Sequence, residues 1–240
     1  MMLGNTHILT GHIGSGKSSV AKVLMKMGYY VVNIDLMTKD IVLDTPEIKA
    51  ALFARFGSGA VVPEIGLSED VRELALKDMK VYDWIDGMLS VYLSETLSRV
   101  NKFLFRTAKP ETFQMLVESA TVPQWLNERA RGKVFRILVT DTDARIDRVV
   151  ERHKSKYNIE TECRGFYCRT QDEYDANKRY LADYRNMIVK TDELQTKLDD
   201  KFFILSNGRP TIDFTNDKQG DPEAIAKKIV ANITDKEGAK

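Results

Sequence analysis

A lysine and a serine at the end of a glycine-rich stretch give the chain its clearest chemistry. Gly11-His12-Ile13-Gly14-Ser15-Gly16-Lys17-Ser18 satisfies the pattern G-x-x-x-x-G-K-[ST] in full. Glycines allow a backbone to wrap closely round an anion, so that successive N–H groups point inward at phosphate oxygens. A helix that starts at the same place adds unpaired N–H groups and the positive end of its dipole. Lys17 can then reach the β- and γ-phosphates, and Ser18 can offer its hydroxyl to Mg²⁺. Gly11, Gly14, Ser15, Gly16 and Ser19 complete the expected cradle. A plain glycine turn is the bland alternative. The flanks favour a nucleoside triphosphate site, with ATP and Mg²⁺ as its ligands.

Those groups need a strand before them and a helix after them. Ile8, Leu9 and Thr10 suit a buried strand, and Val20, Val23, Leu24 and Met27 recur on one helical face. Gly28 stands where a helix end wants a left-handed residue. Tyr29 to Ile34 then predicts a second strand that ends at Asp35. Ligands of open α/β sheets bind beyond the carboxyl ends of the strands, which places Asp35 near the phosphates. Two readings of Asp35 fit: a carboxylate that orients and deprotonates an acceptor hydroxyl, or the N-cap of the Met37–Val42 segment.

Ile8 to Gly57 resembles the start of the dephospho-coenzyme A kinases, which carry L-T-G-G-I-G-S-G-K-S-T-V-A, a strand ending in D-A-D, then a helix and F-G. This chain has ILTGHIGSGKSSVA, VVNID and PEIKAALFARFG. The resemblance implies that Asp35 is the catalytic base, because the family's second aspartate falls on it. The first falls on Asn33, which is no carboxylate, and His12 replaces a glycine usual in the family's loop. Farther along, the family's L-D-R-x-x-L pattern and His-Pro pair are replaced by Leu67-Ser68-Glu69-Asp70-Val71-Arg72 and Ser90-Val91.

Thr112 to Val117 predicts a third strand, with Gln114-Met115-Leu116-Val117-Glu118 where the family has P-L-L-F-E. Glu118 would face the site and hold a Mg²⁺-bound water or the acceptor, or it is a loop carboxylate. Lys133 to Thr140 predicts a fourth strand. Asp143, as a cap, would open a helix to Arg152 on which Arg145, Arg148 and Arg152 share one face. The family's R-x-x-x-R falls on Arg148 and Arg152, which implies a lid that closes over the transferred phosphoryl group. Arginine suits this because its fork stays charged and pairs with phosphate. The alternative is a solvated face on which Asp147 and Glu151 pair with the arginines. Phe214-Thr215-Asn216-Asp217 is similar to the family's last strand, V-I-x-N, which puts Asn216 at the border of the adenine or in a structural turn.

Elsewhere the pattern predicts helices over Pro46–Phe56, Val81–Val100 and Gln171–Val189, and one capped by Ser68. It also predicts two strand-like runs, KFFIL and TIDFT, around Asn207-Gly208. The closing helix opens at Asp221-Pro222 with Ala224, Ile225, Ile229 and Ile233 inward. Trp125 and Leu126 anchor a short surface helix.

A chain of 240 residues with 43% hydrophobic and 30% charged content fits one core with a lid. A net charge of +1 provides no global field toward nucleic acid or membrane. No basic leader or long apolar run is evident, so a cytoplasmic protein is expected. Cys163 and Cys168 have no second pair at zinc-ligand spacing and read as free thiols. His7, His12 and His153 are expected in structural or solvent roles, with His12 close enough to touch phosphate. Between Arg145 and Lys190 stand 11 Lys/Arg against 8 Asp/Glu, interleaved with Tyr157, Phe166, Tyr167, Tyr174, Tyr180 and Tyr184. Such a mixture can grip a nucleic-acid backbone and stack bases, or simply build a lid with its own small core.

The sequence therefore predicts an α/β P-loop kinase: a parallel sheet of about five strands flanked by helices, with a helical lid. Residues 1–45, 110–145 and 201–240 would form the core, 46–109 an acceptor-side helical region, and 145–200 an enlarged lid. The acceptor would be a hydroxyl-bearing, nucleotide-like molecule. A hydroxylated base in DNA or a modified nucleotide is the alternative acceptor, and a nucleotide switch without transfer activity is a third reading. Oligomeric state is not readable.

Overall fold

The computed structural model describes residues 3, 6–107, 114–120, 122–161, 171–205, 210–217 and 220–234. The expected parallel sheet is present. Its strands are β1 (Thr6–Thr10), β2 (Tyr30–Asn33), β5 (Met115–Glu118), β6 (Val134–Leu138) and β7 (Thr211–Thr215), in the spatial order β2-β5-β1-β6-β7. Every pairing in this sheet is parallel. The central strands read as continuous apolar runs because helices cover both their faces. The carboxyl ends of β1, β2 and β5 lie side by side, with Leu9 and Asn33 both opposite Glu118.

One face is covered by α1 (Lys17–Lys26) and α9 (Pro222–Thr234), which pack Val20, Leu24, Ile225 and Ile229 against Leu9, Phe135 and Phe214. Met27 and Ala224, expected inward, are exposed; Ala21 and Ala226 take the inward positions. The other face carries α2 (Ile34–Asp44), α3 (Pro46–Phe56), a small hairpin of β3 (Val61–Val62) and β4 (Gly66–Leu67), and α4 (Glu69–Lys77). The longer α5 (Met79–Thr107) and the short α6 (Gln124–Arg129) complete it. Ser68 caps α4 as expected, its Oγ accepting from Val71 N–H at 3.3 Å. Trp125 and Leu126 of α6 are buried.

Two long helices, α7 (Thr142–Lys156) and α8 (Gln171–Leu205), pack on each other through Ile146, Val149 and Ile188. Here the expectations need correction. Asp141, not Asp143, caps α7 by accepting from Ala144 N–H at 2.9 Å. α8 does not stop at Val189 but runs on through KFFIL to Leu205. Extending an existing helix adds one bond per residue fixed, and β-propensity yields readily to context. Asn207-Gly208, Cys163, Cys168, Phe166 and Tyr167 lie outside the described residues, as do Thr112 and Phe113 of the third predicted strand. No helix among the described residues is long and apolar enough to cross a membrane.

Candidate active site

Chain direction reverses sharply between β1 and α1, and the glycines of the loop sit where a side chain would not fit. Gly11 has φ +150° and a Cβ there would lie 2.4 Å from the carbonyl oxygen of Ile137. Gly14 and Gly16 have φ +81° and +93°, in the region that side chains avoid. Ser15 N–H donates to His12 O at 3.0 Å, and the N–H groups of Ser19 and Val20 both turn back to Gly16 O. Helix α1 begins at Lys17 with no side-chain cap, so its amino end is open to an anion. Lys17 is buried, and Ser15 Oγ is buried without a partner among the described residues.

Around this loop the sheet edge gathers polar groups from distant parts of the chain. Ser18 Oγ donates to Glu118 Oε1 at 2.5 Å, and Asn33 Nδ2 donates to Glu118 Oε2 at 3.0 Å. Glu118 is thus a strand-end carboxylate facing the loop, and it is buried. The sequence placed Asp35 at the end of the second strand. The strand ends at Asn33, which caps α2 by accepting from Leu36 N–H at 2.8 Å, and Asp35 stands in the first helical turn. The cap role considered for Asp35 therefore belongs to Asn33, leaving Asp35 free for the site. Its carboxylate opens onto a groove of about 780 Å³ whose walls include Ser18, Glu118, Met25, Val31 and Ile41. Asp35 keeps an exposed face, but partial desolvation among those walls pushes its carboxyl up; Lys17 pulls it down and Glu118 pushes it up again, for a net rise. Burial draws the Lys17 ammonium down, opposed by Asp35 and Glu118 and aided by Arg152 and Arg145.

The arginines divide. Arg148 and Arg152 are exposed, and neither forms a salt bridge among the described residues. Asp147 pairs with Arg185 and Glu151 with Lys154, so the acidic partners considered for them are engaged elsewhere. Arg152 is near enough to act electrostatically on Lys17. Arg145 is buried, bonded to Ile13 O and paired with Asp192. Asn216 follows β7, and its Nδ2 donates to Ser15 O at 2.6 Å, which joins the last strand to the loop.

His7 packs on Phe135, accepts from Lys133 N–H at Nδ1 and meets Gln114 through Nε2, a structural role. His153 stacks on Tyr184 with ring centres 3.8 Å apart. His12 points to Asp192, 3.1 Å away, rather than standing free at the loop. Sequence reasoning missed Asp192, the amide of Asn33, and Tyr82 of α5. Burial pushes the Tyr82 phenol up, as do the charges of Asp86, Asp83 and Asp35, so it stands within electrostatic reach of Asp35. A tyrosine within an apolar helical stripe carries no sequence signal of that kind.

Lysine, hydroxyl and carboxylates beside an open helix terminus are the kinds of group that phosphoryl transfer uses. A family model described as dephospho-CoA kinase matches residues 7–165. This chain belongs to the dephospho-CoA kinase family. A dephospho-CoA kinase from Cupriavidus pinatubonensis is 30% identical over 152 residues, covering 60% of this chain and 69% of that one. Another, from Photobacterium profundum, is 22% identical over 200 residues, covering 79% and 95%. The crystal structure of TT1252 from Thermus thermophilus aligns over 96% of this chain and 98% of its own, with a TM-score of 0.58 and 18% identity, and so shares the fold. As a dephospho-CoA kinase family member the chain is an ATP-dependent phosphotransferase acting on a hydroxyl of a nucleotide-like substrate. The family match stops before α8 begins.

Proposed function

We propose that this kinase moves the γ-phosphoryl group of Mg·ATP to a hydroxyl on an acceptor of the dephospho-CoA class. The observation that supports it is the meeting of Lys17, Ser18, Glu118 and Asp35 at the strand ends, beside an open groove. Lys17 and the loop amides from Gly11 to Ser19 hold the β- and γ-oxygens. The Ser18 hydroxyl and Glu118 carboxylate are hard oxygen donors 2.5 Å apart, a set that suits Mg²⁺. Held by these two residues, the ion would supply positive charge against the phosphates. Asp35 orients the acceptor hydroxyl and takes its proton as the new P–O bond forms and the bond to the ADP oxygen breaks. Arg148 and Arg152 offset the charge spread over the transferred group, and the α7–α8 pair acts as the lid that excludes water. Asn216 braces the loop on the adenine side. A cytoplasmic setting, with its ATP supply, suits this reading.

A hydroxylated base in DNA is the second reading, and one surface supports it. Tyr157 and Tyr180 are exposed on the α7–α8 face beside His153, and Lys156 Nζ lies 4.9 Å over the Tyr157 ring. Aromatic faces beside cations stack bases and track a backbone. Transfer of labelled γ-phosphate should be compared for dephospho-CoA, a hydroxymethyl nucleotide and duplex DNA with a hydroxymethylated base. Labelling of dephospho-CoA supports the first reading. Labelling of the duplex, with binding that weakens steeply as salt rises, supports the second. Labelling of none of them overturns both and leaves a nucleotide switch.

A further inference from the structure

Helix α8 lies beyond the residues that the family model matches, yet it reaches the phosphate loop. Asp192, on its inner side, accepts from His12 Nδ1 at 3.1 Å and pairs with Arg145. Arg145 in turn donates to Ile13 O, so a single carboxylate is tied to loop residues 12 and 13 by two routes. The side chain of Ile13 packs into the cluster of Ile146, Val149 and Ile188 between α7 and α8. At Gly14 a Cβ would meet Val149 at 2.4 Å and Arg145 at 3.4 Å, so the helices press directly on the loop's outer turn.

The pair is well shielded, with the Arg145 side chain 3% and the Asp192 side chain 13% exposed. Burial pushes the Asp192 carboxyl up, but the hydrogen bonds from His12 and Arg145 and the charge of Arg145 outweigh it and hold the group below the usual range. Breaking a shielded pair by removing one partner is far more disruptive than its net worth suggests, because the other charge is left uncompensated. We infer that Asp192 is a positioning residue for ATP. It holds His12 and Arg145 so that the loop's outer turn keeps the shape that grips the β- and γ-phosphates. It also neutralises Arg145, leaving Arg148 and Arg152 as the arginines directed to the nucleotide. Residues 12 to 14 are thereby set by a helix outside the stretch that the family model matches.

The inference rests on the loop being the ATP site, and the experiment separates the two. Titration of the full chain with a fluorescent ATP analogue and Mg²⁺, alongside thermal denaturation, should show Asp192→Ala weakening ATP binding about tenfold in a folded protein. Asp192→Glu should recover part of the loss. The double variant Asp192→Ala/Arg145→Ala should lose less than the two single losses added together, because Asp192 acts in part through Arg145. His12→Gly should lose less, since it cuts one of the routes. Should Asp192→Ala not fold, Asp192→Asn is judged by the same criterion. Unchanged ATP affinity with a lowered Tm would make Asp192 a structural prop and overturn the inference, and tighter binding would overturn it equally. Lys17→Ala is the control: if it binds ATP normally, the site reading itself fails, whereas its loss beside an unaffected Asp192→Ala sinks this inference alone.

Discussion

Substituting Gly14 by alanine tests how closely α7 presses on the phosphate loop. At φ +81° an alanine carries a left-handed penalty of about 1–2 kcal/mol. Its methyl would stand 2.4 Å from Cγ2 of Val149, well inside contact distance, and Val149 is 2% exposed with no free space to enter. Forcing a methyl into a packed site costs roughly 1–3 kcal/mol. Gly14→Ala should therefore destabilise the protein by about 2–5 kcal/mol, or displace the loop and weaken ATP binding by a corresponding factor. Val149→Ala alone should cost roughly 2 kcal/mol for its lost burial and cavity. Val149→Ala supplies the missing space, and the double variant should lose about 1–3 kcal/mol less than the sum of the singles. Thermal or urea denaturation of the four proteins gives the coupling, and titration with a fluorescent ATP analogue shows where it is felt. Additive losses in both measurements would mean that α7 does not bear on Gly14, and the packing argument would fall.

Other expectations concern the chemistry. Asp35→Asn should leave ATP affinity largely intact and slow transfer by at least ~10²-fold, the scale of a positioned base; full turnover would remove Asp35 from the mechanism. Because the Asp35 carboxyl is raised and works only when ionised, activity should fall as the pH drops through a value above the ordinary carboxylate range. A kcat/KM profile flat down to ordinary aspartate pH would contradict that. Asn216→Ala breaks the 2.6 Å bond to Ser15 O and should weaken ATP binding by about 0.5–1.5 kcal/mol, read by the same titration. Lys17→Ala should abolish transfer with any acceptor, and measurable labelling would refute the loop assignment.

Much of the fold was legible because its strongest signals are local. The loop announces itself through glycines whose φ values only glycine adopts freely, and β1, β5 and β6 through short apolar runs of a sheet buried on both faces. Asp35 and Glu118 could be placed because both stand at the carboxyl ends of strands that finish on the same side. What could not be read depends on partners far away. Asp192 stands 180 positions from His12 and 47 from Arg145, and nothing near any of them hints at the meeting. KFFIL misled for the opposite reason: its local preference was clear, and the helix running into it prevailed. Arg145 looked like its neighbours on one helical stripe, and only packing separates the one that turns inward from the two that stay in solvent.

Asn33 does a job that its chemical cousin could not. An amide both gives and receives, so one side chain starts a helix through its oxygen while its nitrogen steadies Glu118. An aspartate there could start the helix, but it would set a second anion against Glu118 at a distance meant for a hydrogen bond. The pocket thus greets an incoming triphosphate with one less repelling charge, and Glu118 is held still without needing the nucleotide to arrive first.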